Sequence, residues 1–131
     1  MPSIFSRIVA GDIPAHKIAE TDDYLAFLDV MPTVTGHTLV IPKEEIDYLF
    51  DLDDARYLGL MAFAKTVARA VEKAIPCQRI GVAVVGLEVP HAHIHLIPLN
   101  QLSDMDFSQK MEPKPTADEL AATAATIRAE L

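Results

Sequence analysis

An α+β fold with a mainly antiparallel sheet is predicted by three features of the 131-residue sequence. Short apolar runs are bounded by turn residues, one long segment has helical period, and a capped helical segment lies near the C-terminus. In "SIFSRIVAGDIP" a serine cap precedes Ile4, Phe5, Ile8 and Val9 at helical spacing, and Gly11 and Pro14 end the short helix. "KIAETDDYLAFLD" holds two apolar runs broken by Thr21, Asp22 and Asp23, the pattern of a hairpin. Pro32 and Gly36 mark "MPTVTGH" as a loop, and "TLVIP" is a buried strand closed by Pro42.

Between Leu52 and Ile75, Ala55, Leu58, Gly59, Met61, Ala62, Ala64, Ala68, Val71 and Ala74 recur at roughly helical spacing. Asp53 and Asp54 stand at the start and Lys73 toward the end, matching the helix dipole. "RIGVAVVG" and "HAHIHLIPL" read as two further strands joined by a short turn near Gly86. In "TADELAATAATIRAEL", Thr116 and Glu119 form a capping box that opens a second helix. No repeat, low-complexity tract or linker divides the chain, so residues 1–131 are expected to form a single domain.

Composition narrows the function. Half of the residues are apolar (50%) and 23% are charged, a globular balance that leaves little room for disorder. With 11 Lys and Arg against 19 Asp and Glu, the net charge of -8 repels a phosphate backbone, and extended nucleic-acid binding is not expected. A small phosphorylated ligand stays open, since backbone N–H groups and imidazoles can make a local pocket of opposite character. Cys77 is the one cysteine, no apolar stretch follows a basic N-terminus, and no run nears the ~20 residues that cross a bilayer. A cytoplasmic protein without membrane contact is the expectation.

The chemistry concentrates in "VPHAHIHLI". On a strand, alternate side chains share a face, so His91, His93 and His95 point one way while Ala92, Ile94 and Leu96 enter the core. Three readings compete. The histidines could form a polar strand face, although imidazole has poor strand propensity. They could converge on a metal ion. Or one neutral imidazole could attack phosphorus while its neighbours and nearby backbone donors hold the phosphate oxygens. An uncharged nucleophile approaches an anionic phosphoryl group without the repulsion a carboxylate would meet, and the resulting N–P bond is labile to water.

"HAHIHLI" fits the pattern H-φ-H-φ-H-φ-φ, and with "IFSRIVAGDIPA", "LAFLD" and "GHTLVIPK" upstream in the same order the chain resembles the histidine triad (HIT) family, in its Hint branch. The resemblance runs from Ile4 to about Pro98 and more loosely over the last helix. It implies a HIT-like fold, a five-stranded mainly antiparallel sheet with one long central helix and a C-terminal helix, paired as a homodimer. It also implies hydrolysis or transfer at the α-phosphate of a nucleoside phosphoramidate or dinucleoside polyphosphate, through a nucleotidyl-histidine intermediate, with a purine mononucleotide as ligand.

Carried over by position, His93 resembles the nucleophile, His91 and His95 the flanking histidines, and His37 the fourth histidine of the site. Asp29 resembles the carboxylate that takes the ribose hydroxyls. Ile4, Phe5, Ile8, Phe27 and Val30 resemble the lining of the base pocket, although read without the resemblance they would pass for core residues. Backbone N–H groups of Gly86, Leu87 and Glu88 are candidate oxyanion donors.

Two departures from the family pattern carry consequences. Where many bacterial relatives hold a structural zinc through C-x-x-C and a histidine after "IPK", this chain has Ser3, Ser6 and Glu45, a poor tetrahedral donor set. Neither a bound metal nor another cofactor is expected. The loop before the triad lacks the Asn of relatives, and one lost donor can cost on the order of 100-fold in rate. A nucleotide-binding or interaction module with little turnover is therefore the alternative to an enzyme.

Overall fold

The computed structural model describes residues 1–131. Helix α1 (Ile4–Val9) is followed by strands β1 (Lys17–Glu20), β2 (Tyr24–Leu28) and β3 (Thr38–Pro42). Then come the long helix α2 (Asp54–Ala74), strands β4 (Arg79–Ala83) and β5 (Ile94–Leu99), and helix α3 (Ala117–Arg128). The strands form one five-stranded sheet in the order β1-β2-β3-β5-β4, and every neighbouring pair is antiparallel. This is the fold class expected from the sequence.

Local chemistry sets the helix starts. Ser3 and Thr116 each accept a hydrogen bond at N3 of their helices, from Ser6 N–H and Glu119 N–H, and Glu119 returns one to the Thr116 N–H. Asp53 does the same for α2, accepting from Arg56 N–H.

Alternation along the strands separates two apolar layers. Ala26, Leu28, Val40, Ile94 and Leu96 face α2 and α3, where Leu60, Val67, Val71, Leu120 and Ile127 complete the larger core. Leu25, Phe27, Leu39 and Ile41 face the other way and pack under Phe5 and Ile8 of α1. Covering both faces is why β3 is buried at every position and reads as an unbroken apolar run.

Two boundaries differ from the sequence reading. β4 stops at Ala83 and β5 begins at Ile94, so Val84 to His93 form a longer connection than a short turn at Gly86. His91, Ala92 and His93 lie outside the ladder, because β4 supplies no partner beyond the Ala83–His95 pair. The chain there is held instead by Ala92 N–H donating to Ile46 C=O at 2.7 Å. Alternation nevertheless persists, with Ala92 in the larger core and the histidines on the opposite side. No helix is long and apolar enough to cross a membrane.

Candidate active site

Strand period and register bring the chemistry to one face. Asp29 continues the Leu25 and Phe27 side of β2 by one step, and His37 precedes the Leu39 and Ile41 side of β3 by one step. The β3–β5 register sets Leu39 opposite His95. Four histidines and a carboxylate, separated by up to 66 positions, thereby gather on the sheet face that carries α1.

The hydrogen bonds of His93 fix its proton. Its Nδ1 lies 2.7 Å from the His91 carbonyl, which can only accept, so Nδ1 carries the hydrogen and Nε2 of the neutral ring keeps the lone pair. Phe5 packs edge-on against this ring with centroids 5.0 Å apart.

His91 is fully buried and anchors that carbonyl. Its Nε2–H donates to Pro42 C=O at 2.8 Å, leaving Nδ1 to accept from the Ser3 hydroxyl at 2.8 Å. Ser3 Oγ at the same time accepts from Ser6 N–H at 2.9 Å, so the helix cap and the histidine clamp share one hydroxyl. Ser6 O–H and Ser3 N–H both donate to Glu45, and these bonds hold its carboxyl down at about 2. Ser3, Ser6 and Glu45 thus form a hydrogen-bond cluster with His91 between α1 and the sheet.

On the other side, His37 Nδ1 accepts from Thr33 N–H at 3.1 Å. Its Nε2–H therefore points to His95 Nδ1 at 2.9 Å, with Asp29 Oδ2 at 3.6 Å. His95 is left with a hydrogen on Nε2, free to donate. Burial pushes His37 down to about 4, against the opposing pull of Asp29, and His95 down to about 3, with His37 and His93 adding to the effect. Burial also lowers His91, opposed chiefly by its bond to Pro42. These three rings are neutral at pH 7.

Asp29, His37 and His95 place one ligand atom each within 4.8 Å of one another. The donor arrangement does not suit a metal ion. A neutral imidazole has one lone pair, and Thr33 N–H already engages that of His37 at Nδ1, away from the cluster. The lone pair of His91 is likewise engaged by Ser3.

A cavity of about 540 Å³ opens on this face, within the range of small-ligand sites. Of the residues singled out from the sequence, Ile4, Phe5, Asp29, Val30, His93 and His95 line it, as do Gly86, Leu87 and Glu88. His91 and His37 stand behind its wall, touching it through His93 and His95. Ile8 and Phe27 also lie behind it, in the apolar cluster, with Phe27 supporting Phe5 at 5.5 Å between centroids. The sequence reading missed Met31, Leu39, Val85, Val89, Phe107 and Lys110, which also line the cavity. Leu39 follows from the alternation His37, Leu39, Ile41. Phe107 and Lys110 come from a polar loop with no periodic signal, and Phe107 reaches His95 at 4.6 Å between centroids only because the chain turns back there.

A model of the HIT domain matches residues 10–102. Adenosine 5'-monophosphoramidase hnt1 of Schizosaccharomyces pombe is 42% identical over 100 residues, which cover 75% of this chain and 74% of that protein. Among solved structures, a Hit-like protein from Bartonella henselae superposes with TM-score 0.83 at 32% identity, over 98% of this chain and 96% of the other. A Zn-bound histidine triad family protein from Mycobacterium smegmatis gives TM-score 0.81 at 28% identity, over 97% and 91% of the two chains.

Proposed function

The chain belongs to the HIT domain family, and from that membership we propose that it hydrolyses or transfers the nucleotidyl group of nucleoside phosphoramidates or dinucleoside polyphosphates through an adduct on His93. The observation that carries the reading is the bond from His93 Nδ1–H to the His91 carbonyl, which leaves the Nε2 lone pair as nucleophile in a ring that lines the cavity. The relative named adenosine 5'-monophosphoramidase supports a phosphoramidate as one substrate.

In the proposed mechanism Nε2 attacks the α-phosphorus, the N–P bond forms, and the bond to the leaving group breaks, an amine departing with a proton taken from solvent and a phosphate departing as its anion. Positive charge then develops on the His93 ring, and its Nδ1–H bond to the carbonyl strengthens as it does so. This interaction favours the transition state over the ground state. His95 Nε2–H and the backbone N–H groups of Gly86 to Glu88 are the donors for the phosphoryl oxygens, and His37 holds His95 in the donating tautomer. Water then attacks phosphorus and gives up a proton to solvent, the N–P bond breaks, and its electron pair returns to His93 Nε2. Asp29 takes the ribose hydroxyls, and Ile4, Phe5 and Val30 form an apolar slot suited to a purine base.

Incubation with adenosine phosphoramidate tests the reading. Release of AMP by the wild type, a trapped adenylyl adduct after rapid acid-free quenching, and neither from His93→Ala are expected. Equal rates for the two proteins would remove the enzyme claim.

Homodimerisation is part of the same proposal. Val82, Val84 and Val85 at and beyond the β4 edge are exposed, and Val84 and Val85 line one surface depression with the exposed Tyr48 and Phe50, an apolar patch beside an open sheet edge. Sedimentation at a mass of one chain would refute it. The second reading, a nucleotide-binding module, rests on the cavity lining, which contains no side-chain amide to donate a hydrogen bond to the leaving group or the phosphate. Calorimetric binding of AMP with neither adduct nor turnover is its signature.

A further inference from the structure

We infer that Lys110 is the residue that takes the negative charge of the substrate's phosphate, and so decides between a nucleotide and its nucleoside. The inference rests on the nucleotide reading above and deepens it.

The cavity has a charge problem. A phosphorylated ligand must enter a protein of net charge -8, past the carboxylates of Asp29 and Glu88. Histidine cations do not supply the counter-charge, because burial keeps His37, His91 and His95 neutral at pH 7. Lys110 is the one lysine or arginine that lines the cavity. It joins none of the four lysine or arginine ion pairs of the structure, so no carboxylate claims its ammonium. An unpaired cation facing a cavity with two carboxylates is a site arranged for an anionic third party.

The geometry holds Lys110 there. Its Nζ sits over the Phe107 ring, 5.6 Å from the centroid, and Phe107 packs on His95 at 4.6 Å and His37 at 6.1 Å between centroids. The segment that carries both residues is folded by a local turn and tied to the sheet side at Met111. Asp106 accepts from Ser108 N–H and O–H and from Gln109 N–H, and Met111 N–H donates to Pro32 C=O at 2.9 Å. Pro32 belongs to the loop whose Thr33 N–H orients His37, so the cation and the His37–His95 pair are mounted on one support. Phe107 gives the lysine stem an apolar rest and the ammonium a weak cation–π hold, which an entering phosphate can displace.

Calorimetry with AMP and adenosine on the wild type, Lys110→Met and Lys110→Arg tests the assignment. Lys110→Met keeps a flexible apolar stem on Phe107 and removes only the charge. It is expected to weaken AMP about ten- to hundredfold, the range of a charge-assisted hydrogen bond, and to leave adenosine within about twofold. Lys110→Arg should retain most AMP affinity. AMP binding to the wild type should weaken with added salt more steeply than binding to Lys110→Met. AMP affinity of Lys110→Met within twofold of wild type overturns the assignment while leaving the nucleotide reading intact. An equal loss for adenosine overturns it too, because the residue would then merely shape the loop. Failure of the wild type to bind AMP removes both.

Discussion

Replacing Ser3 by alanine should reach the nucleophile through the buried His91 beside it. The Ser3 hydroxyl does two jobs, accepting from Ser6 N–H as the cap of α1 and donating to Nδ1 of the fully buried His91. Loss of the cap costs about 1 kcal/mol. Leaving the buried His91 nitrogen without a partner costs roughly 1–3 kcal/mol more. The expected loss is about 2–4 kcal/mol, and at roughly 3–5 °C per kcal/mol for a chain of this size the melting midpoint should fall by about 10 °C. The functional consequence follows from position. α1 carries Ile4 and Phe5 of the cavity wall, and the Phe5 ring lies 5.0 Å from His93 and 5.8 Å from His91. AMP affinity should therefore fall together with stability, at temperatures where the variant is still folded. Circular dichroism melts give the first quantity, and imidazole nitrogen shifts in NMR give the His91 tautomer. A midpoint within about 2 °C of wild type, with the His91 nitrogens unshifted, would refute the shared role of this hydroxyl.

Three other perturbations test separate parts of the account. Unfolding free energy should fall as pH drops from 6.5 to 5. Unfolded histidines take up protons near the ordinary value of 6.5, whereas folded His37 and His95 wait until about 4 and about 3, so the unfolded state binds more protons in that window. Urea titrations at the two pH values check the sign, and a midpoint that stays level or rises would show that the buried rings are charged in the native state. Asp29→Asn should weaken AMP about tenfold while leaving 2',3'-dideoxy-AMP nearly unchanged, because the proposed loss is confined to bonds from ribose hydroxyls. Equal weakening of both ligands in calorimetry would count against that role. Gly59→Ala should destabilise despite the gain of about 1 kcal/mol in helix propensity. A Cβ there would run into Tyr24 Oη and must displace a ring that donates to Arg56 C=O at 3.1 Å, an overpacking cost of about 1–3 kcal/mol before the lost hydrogen bond is added. A raised urea midpoint would mean that Tyr24 can move freely.

Much of the fold was legible because its signals are short-range. The caps at Ser3 and Thr116 span three residues, and α2 declares itself by a 3.6-residue period over 21 residues. The grouping of His91, His93 and His95 opposite Ala92, Ile94 and Leu96 needs only the two-residue period of extended chain, and it survives although three of these residues lie outside the hydrogen-bonded ladder. The end of β4 was less legible. "RIGVAVVG" is apolar throughout, and what stops the ladder at Ala83 is the position of its partner on β5, which no property of Val84 or Val85 announces.

Sequence by itself determined the faces, the helix starts and the side of the sheet on which Asp29, His37 and the triad stand, since each follows from backbone geometry within a few residues. Only tertiary structure decided which groups meet: Ser3 with His91 across 88 positions, His37 with His95 across 58, and Phe107 with both His37 and His95. The proton placement on the imidazoles and the depressed pKa values of three of them arise from burial and from donors on distant segments. These quantities come into being when the chain closes on itself, and no local pattern of residues encodes them.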